Sequence, residues 1–319
     1  MRVLVTGGAG YIGGAMSALL LAEGHEVVVL DNLSTGHRDG VPAGAELREA
    51  DLREADAVRK AVDGSFDGVL HFAAKSLVGE SMELPADYFA TSVGGTLNLL
   101  AAMREHDVSS LVVSSTAATY GQPQESPITE QSPTQPLNAY GAAKLAVDHL
   151  LSYAAPAYGI GAVSLRYFNV AGAYAGLAER HDPETHLIPN LLKSAADPGK
   201  PFTINGTDFP TPDGTCIRDY VHVQDLARAH LLALSAARSG EHQIFNLGSG
   251  SGYSVLEVLA EARSVTRAEL PAVEGPPRPG GADPATLVAS SAKIERELGW
   301  TRQRSLTDMV RDAWDLVPH

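Results

Sequence analysis

The chain has 319 residues, 44% hydrophobic and 19% charged, with a formal net charge of -14. These proportions suit about two packed domains and exclude whole-chain disorder, while the acidic balance disfavours nucleic acid and anionic membranes as partners. The single cysteine, Cys216, excludes an intrachain disulfide or a thiolate metal cluster and fits a reducing cytoplasm.

The opening MRVLVTGG reads as a buried strand entering a glycine turn, not as a signal peptide. No run of 18 apolar residues occurs, so no membrane-spanning helix is expected. Short β-rich runs follow one another at Val3 to Val5, Glu26 to Leu30, Gly68 to Phe72, Ser110 to Ser114 and Gly161 to Arg166. Helical patterns lie between them at Gly13 to Glu23, Ala55 to Val62, Tyr88 to Glu105 and Tyr140 to Tyr158. Strands alternating with helices predict βαβ units and a doubly wound, Rossmann-like parallel sheet. After about Gly172 the pattern loosens into Pro-, Asp- and Gly-rich segments around the helical runs Leu187 to Ala195, Val223 to Ala237, Ser254 to Ser264 and Ser305 to Trp314. Residues 1–172 are therefore expected to form the cofactor domain, with later segments returning to it. Residues 173–319 are expected to form a smaller mixed α/β substrate lobe.

The first β-rich run enters Thr6-Gly-Gly-Ala-Gly-Tyr-Ile-Gly13, with Gly7, Gly10 and Gly13 spaced GxxGxxG. Glycine permits the tight turn and a close approach of backbone to a pyrophosphate, and the next helix offers its N-terminus to the anion. Asp31 ends the second run, 18 residues beyond Gly13. A carboxylate there accepts from an adenosine ribose diol and repels a 2′-phosphate, which favours NAD over NADP. The same residue could simply begin the Asp31-Asn32 turn. Asp51-Leu52 ends a further β-like segment and could face the adenine or cap a helix.

Tyr140 and Lys144 share a helix face at i and i+4. An ammonium beside a phenol favours the phenolate, which would make Tyr140 a base near neutral pH. Thr116 follows the apolar strand 111–114 and could relay a proton from a substrate hydroxyl. His181 and His186 lie in a polar loop without ligand spacing along the chain, so no metal is expected.

The motifs TGGAGYIG (6–13), DNLS (31–34), HFAA (71–74), VGES (78–81), SSTAATYG (114–121), YGAAK (140–144) and LRYFNVAGA (165–173) resemble the extended short-chain dehydrogenase/reductases. The blocks DFPTPDGTCIRDYVHVQDLA (208–227), NLGSGSGYSVLEV (246–258) and ERELGW (295–300) narrow the resemblance to the UDP-sugar 4-epimerases and extend it over the whole chain. The resemblance implies reversible, NAD-dependent epimerisation of UDP-galactose and UDP-glucose at C4 through a 4-keto sugar. It assigns catalysis to Thr116, Tyr140 and Lys144. It assigns the NAD site to Gly7, Gly10, Tyr11, Ile12, Gly13, Asp31, Asn32, Asp51, Leu52, Phe72, Ala73, Ala74, Tyr140, Lys144, Tyr167 and Phe168. The UDP-sugar site would comprise Thr116, Tyr140, Asn169, His186, Leu187, Thr203, Arg218, Tyr220, Arg278 and Asp283. Leu287 stands at the family's pocket-volume position, where a residue smaller than Tyr admits N-acetylhexosamines. A homodimer is implied, pairing the helical runs that carry Leu97, Leu99, Leu100, Leu145, Val147, Leu150 and Leu151.

Three rivals follow from the same residues. A sugar-nucleotide dehydratase needs an acid pair after the active-site threonine, and Ala117-Ala118 cannot supply it. A UDP-glucuronate 4-epimerase would share the motifs. A non-catalytic NAD-binding regulator would have no need of Thr116, Tyr140 and Lys144 together.

Overall fold

The computed structural model describes residues 1–197, 199, 201–277 and 284–318. Its centre is a seven-stranded parallel sheet. Six strands come in sequence: β1 (Arg2–Thr6), β2 (Glu26–Asp31), β3 (Glu46–Glu49), β4 (Gly68–His71), β5 (Ser110–Thr116) and β6 (Gly161–Tyr167). The seventh, His242–Leu247, arrives from far along the chain and pairs with β6. In space the order is β3-β2-β1-β4-β5-β6 followed by His242–Leu247. The order reverses between β1 and β4, and a crevice at such a switch point, beyond the carboxyl ends of the strands, is where α/β sheets bind ligands.

Both faces of the sheet are covered, which explains why its strands read as apolar runs without alternation. On one face α1 (Tyr11–Ala22) and the helix Val223–Ala236 bury Met16, Leu20, Leu226 and Ala229 against Val3, Val29, Val112 and Phe245. On the other, the helices Ala55–Ala61, Gly95–Glu105 and Ala139–Tyr158 bury Val58, Leu99, Met103, Val147 and Leu151 against Leu4, Val28, Val69 and Leu111. A third core joins the helices Leu187–Ala196, Val255–Thr266 and Leu306–Trp314 around Leu191, Leu259 and Met309. Among the described residues no helix is long and apolar enough to cross a membrane.

One expectation is corrected. The single helix expected over Tyr88 to Glu105 is instead Pro85–Phe89, a wide π turn over Ala90–Gly94 and Gly95–Glu105. Within it Thr96 Oγ1 donates to the Ser92 carbonyl at 2.5 Å, a side-chain bond that competes with regular helix pairing. Of the residues in the apolar stripes, some face the sheet and one faces solvent in the single chain. Leu99, Leu100, Val147 and Leu151 are buried on the sheet, and Leu150 packs against the same core, whereas Leu97 is 48% exposed.

Candidate active site

The glycine loop leaves β1 at the switch point. Gly7 has φ +71°, and a Cβ there would sit 2.6 Å from the Ala73 nitrogen, so only glycine fits against the end of β4. At Gly13 a Cβ would come within 2.2 Å of the Gly7 carbonyl oxygen, so the first turn of α1 folds directly onto the loop. Asp31 closes the arrangement from β2. Its carboxylate accepts from the Ala9 N–H at 3.0 Å and the Leu33 N–H at 2.8 Å. Asp31 therefore does organise its own turn. A carboxylate has about four acceptor positions, so capacity remains for a ribose diol. Asn32 donates to Asp51 at 3.0 Å, and Asp51 is clamped by Arg53 at 2.7 Å. That guanidinium holds the Asp51 carboxyl well below the usual carboxylate range. Asp51 therefore closes a charged corner with Arg53 and caps no helix, since the helix Ala55–Ala61 has Glu54 at its N-cap.

A cavity of about 1120 Å³ runs from this loop across the strand ends. Gly7, Gly10, Tyr11, Ile12, Gly13, Asp31, Asn32, Asp51, Leu52, Phe72, Ala73, Ala74, Tyr167 and Phe168 all line it, and so do Thr116, Tyr140 and Lys144. The loop has no room for side chains beneath it, and a buried carboxylate stands at the end of β2. These features fit a dinucleotide with an unphosphorylated ribose.

The part of the cavity lined by Thr116, Tyr140 and Lys144 is built where β5 meets the helix Ala139–Tyr158. Asn138 caps that helix, accepting from the Gly141 N–H at 2.8 Å, which sets Tyr140 in its first turn. A Cβ on Gly141 would fall 2.5 Å from the Ala118 carbonyl oxygen, so the helix start lies hard against the segment after Thr116. Burial pushes the Tyr140 phenol above its ordinary value, and the Thr116 hydroxyl opposes the rise. Burial and the Thr116 hydroxyl, not Lys144, set this shift. Lys144 is itself drawn down to about 8 by burial, with Asp148 opposing. Its Nζ donates to the Ser114 carbonyl at 2.8 Å.

One turn further along, Asp148 accepts from Arg166 Nε at 2.9 Å and Nη2 at 2.8 Å, and both side chains are buried. Neither residue was singled out from the sequence. The signal was available in the i, i+4, i+8 series Tyr140, Lys144, Asp148, which places the carboxylate under the ammonium. Ser34, His37, Arg53 and Lys75 also line the cavity and were equally missed as site residues.

Asn169, His186 and Arg218 line both this cavity and a smaller one of about 470 Å³, where they are joined by Leu187, Thr203 and Tyr220. The fold thus gathers six of the residues expected to hold uridine diphosphate. The segment carrying Arg218 and Tyr220 is pinned by Asp219, a buried carboxylate accepting from the N–H groups of Ser249, Gly250 and Ala289. Leu287 pairs in parallel register with Arg218 and reaches the larger cavity. Arg278 and Asp283 lie outside the described residues.

Residues 3–248 match the NAD dependent epimerase/dehydratase family. A UDP-glucose 4-epimerase of Corynebacterium glutamicum is 54% identical over 316 residues, 98% of this chain and 95% of its own. The crystal structure of UDP-glucose 4-epimerase from Brucella ovis in complex with NAD superimposes with a TM-score of 0.93 at 41% identity, covering 98% of this chain and 97% of that one. The structure from Bifidobacterium longum in complex with NAD+ and UDP does so with a TM-score of 0.91 at 35% identity, covering 99% and 98%. The first of these neighbours was crystallised with NAD and the second with NAD+ and UDP. By sequence and by fold, the chain belongs to the NAD dependent epimerase/dehydratase family.

Proposed function

We propose that the chain is a UDP-glucose 4-epimerase, interconverting UDP-galactose and UDP-glucose with an NAD that remains bound. The observation carrying this reading is the convergence of Thr116, Tyr140 and Lys144 on the cavity that the glycine loop and Asp31 begin and that Asn169 and Arg218 share with a second cavity. NAD, when bound, supplies the acceptor and donor of hydride for sugar C4 and a positive charge near the phenol. Tyr140 takes the 4-hydroxyl proton and returns it, and Thr116 bonds the same oxygen. Lys144 holds the cofactor ribose and stabilises the phenolate as a neighbouring cation. Asn169, His186, Leu187, Thr203, Arg218 and Tyr220 hold the UDP. The 4-keto sugar, held mainly through that handle, can then present its other face.

In this reading residues 1–172 bind the cofactor, 173–319 bind the UDP-sugar, and the segment 223–247 returns to the first unit. The enzyme is cytoplasmic, in keeping with its single cysteine. It is a homodimer through the helices Gly95–Glu105 and Ala139–Tyr158, supported by the exposed Phe89, Leu97, Tyr153 and Tyr158 on or beside them. Light scattering at micromolar concentration should give twice the chain mass, and a monomer mass would remove the dimer. Leu287, lacking the phenol of a tyrosine, leaves room for an N-acetyl group. UDP-N-acetylglucosamine should therefore be a slow substrate, and Leu287→Tyr should suppress it selectively. Complete inactivity of the parent protein on that sugar would refute the gate.

The test of function is incubation of the purified protein with UDP-galactose without added NAD. UDP-glucose should form. Conversion of UDP-glucuronate instead would assign another sugar, and no turnover by NAD-loaded protein would overturn the reading.

A further inference from the structure

The loop between Gly172 and the helix Leu187–Ala196 carries a side-chain cluster of which only His186 has a part in the proposed reaction. Glu179, His181, Glu184 and His186 each offer one donor atom, and the four atoms all lie within 4.8 Å of one another. His181 Nδ1 is 2.7 Å from Glu179 Oε1, and His186 Nδ1 is 3.0 Å from that oxygen and 2.9 Å from Glu184 Oε1. The two imidazole rings tilt towards each other with centroids 5.3 Å apart. Along the chain these residues have no ligand spacing. The turn of the loop brings them together.

The carboxylates are withdrawn from water. The Glu179 side chain is 9% exposed and that of Glu184 only 3%. Buried carboxylates side by side need positive charge to compensate them. The neighbouring cation Arg180 is engaged elsewhere, in a two-pronged pair with Asp39 at 2.9 and 3.0 Å. A second observation is independent of the clustering. Glu184 Oε1 accepts from the N–H groups of Thr185 and His186, both at 2.8 Å, while its buried Oε2 has no hydrogen-bond partner among the described residues. A buried oxygen left without a donor calls for an explanation, and an unplaced ion is a standard one.

We propose that Glu179, His181, Glu184 and His186 form a binding site for one divalent transition-metal cation, zinc being the best match. Two imidazoles and two carboxylates suit zinc, whereas calcium and magnesium prefer all-oxygen sets and copper(I) prefers sulfur. Four protein ligands close a tetrahedron, so the cation is structural and leaves no position for substrate. It would fasten a loop that already braces the cofactor side of the cleft. A Cβ on Gly14 would meet Leu177 Cδ1 at 3.1 Å, and the Tyr11 hydroxyl donates to the Gly172 carbonyl at 2.6 Å. Because His186 occupies the position just before the Leu187–Ala196 helix, the same cation would fix the start of the substrate lobe.

The test uses the NAD-loaded enzyme, treated with chelator, desalted and titrated with zinc chloride. Calorimetry and elemental analysis after a second desalting should give one zinc per chain, and Tm should rise with zinc. His181→Ala and Glu184→Gln, chosen to spare the substrate-facing His186, should each lose both the bound zinc and the Tm response. His106→Ala, outside the cluster, should keep both. The more conservative His181→Gln, checked by circular dichroism, guards against a variant that fails to fold. Failure of the parent protein to retain zinc would overturn the proposal, as would stoichiometric zinc in folded cluster variants. Neither readout depends on epimerase activity, so the two readings fail separately.

Discussion

As the general base of the proposed reaction, Tyr140 is favoured by position more than by its resting acidity. Burial raises its pKa, and the Thr116 hydroxyl lowers it only in part. The base therefore depends on neighbours that favour the phenolate, and Lys144, held on the Ser114 carbonyl, is the cation the chain itself supplies. Tyr140→Phe should keep the fold and the bound NAD, because it removes only the hydroxyl with its bond to Thr116 and leaves the ring in place. It should lose epimerisation by at least about 10²-fold, the lower range for removal of a general base. Turnover within a few-fold of the parent would refute the assignment. At this scale the site was largely legible in the sequence, because Tyr140, Lys144 and Thr116 are local to one helix start and one strand end. Asp148 and Arg166 were not. Their pairing joins residues 18 apart on different elements, and a buried ion pair has no signature until the elements are packed.

The glycine loop shows how little freedom one element junction has. The Cβ of an alanine at Gly13 would overlap backbone, the Gly7 carbonyl oxygen at 2.2 Å and the Gly8 Cα at 2.9 Å, and no flexible side chain is there to yield. Gly13→Ala should cost about 1–3 kcal/mol, the range for overpacking a filled site. It should also weaken NAD retention, because the loop must open where it carries the pyrophosphate. Urea denaturation and the nucleotide content of the purified variant measure the two effects, and an unchanged midpoint with full NAD content would contradict the geometry. The strands β1, β2, β4, β5 and β6 were readable as apolar runs because both faces of the sheet are covered. β3, Glu-Leu-Arg-Glu, was seen only as the β-like segment before Asp51, since at the sheet's end it is polar and little buried. The strand His242–Leu247 was not read from the sequence, where only Asn246 and Leu247 fell in a motif; it pairs with β6 only after the chain returns through the helix Val223–Ala236.

Across the molecule, buried neutral histidines link stability to pH. Burial, reinforced by the Lys144 ammonium, pushes His71 down from 6.5 to about 3, and burial pushes His230 down to about 4. Between about 6.5 and about 4 the unfolded chain therefore binds protons that the folded one refuses. Stability is full above the ordinary histidine pKa and falls as pH drops through that window. Tm should decline across it, and His230→Gln should reduce the slope. A flat Tm, or an unaltered slope in the variant, would show that these histidines protonate in the folded state. The central claim, that one retained NAD takes and returns the same hydride at sugar C4, is tested most directly with UDP-galactose deuterated at C4. In ordinary water without added NAD, the UDP-glucose formed should keep its C4 deuterium almost completely. Loss of that deuterium to solvent, or failure to form UDP-glucose at all, would contradict the account.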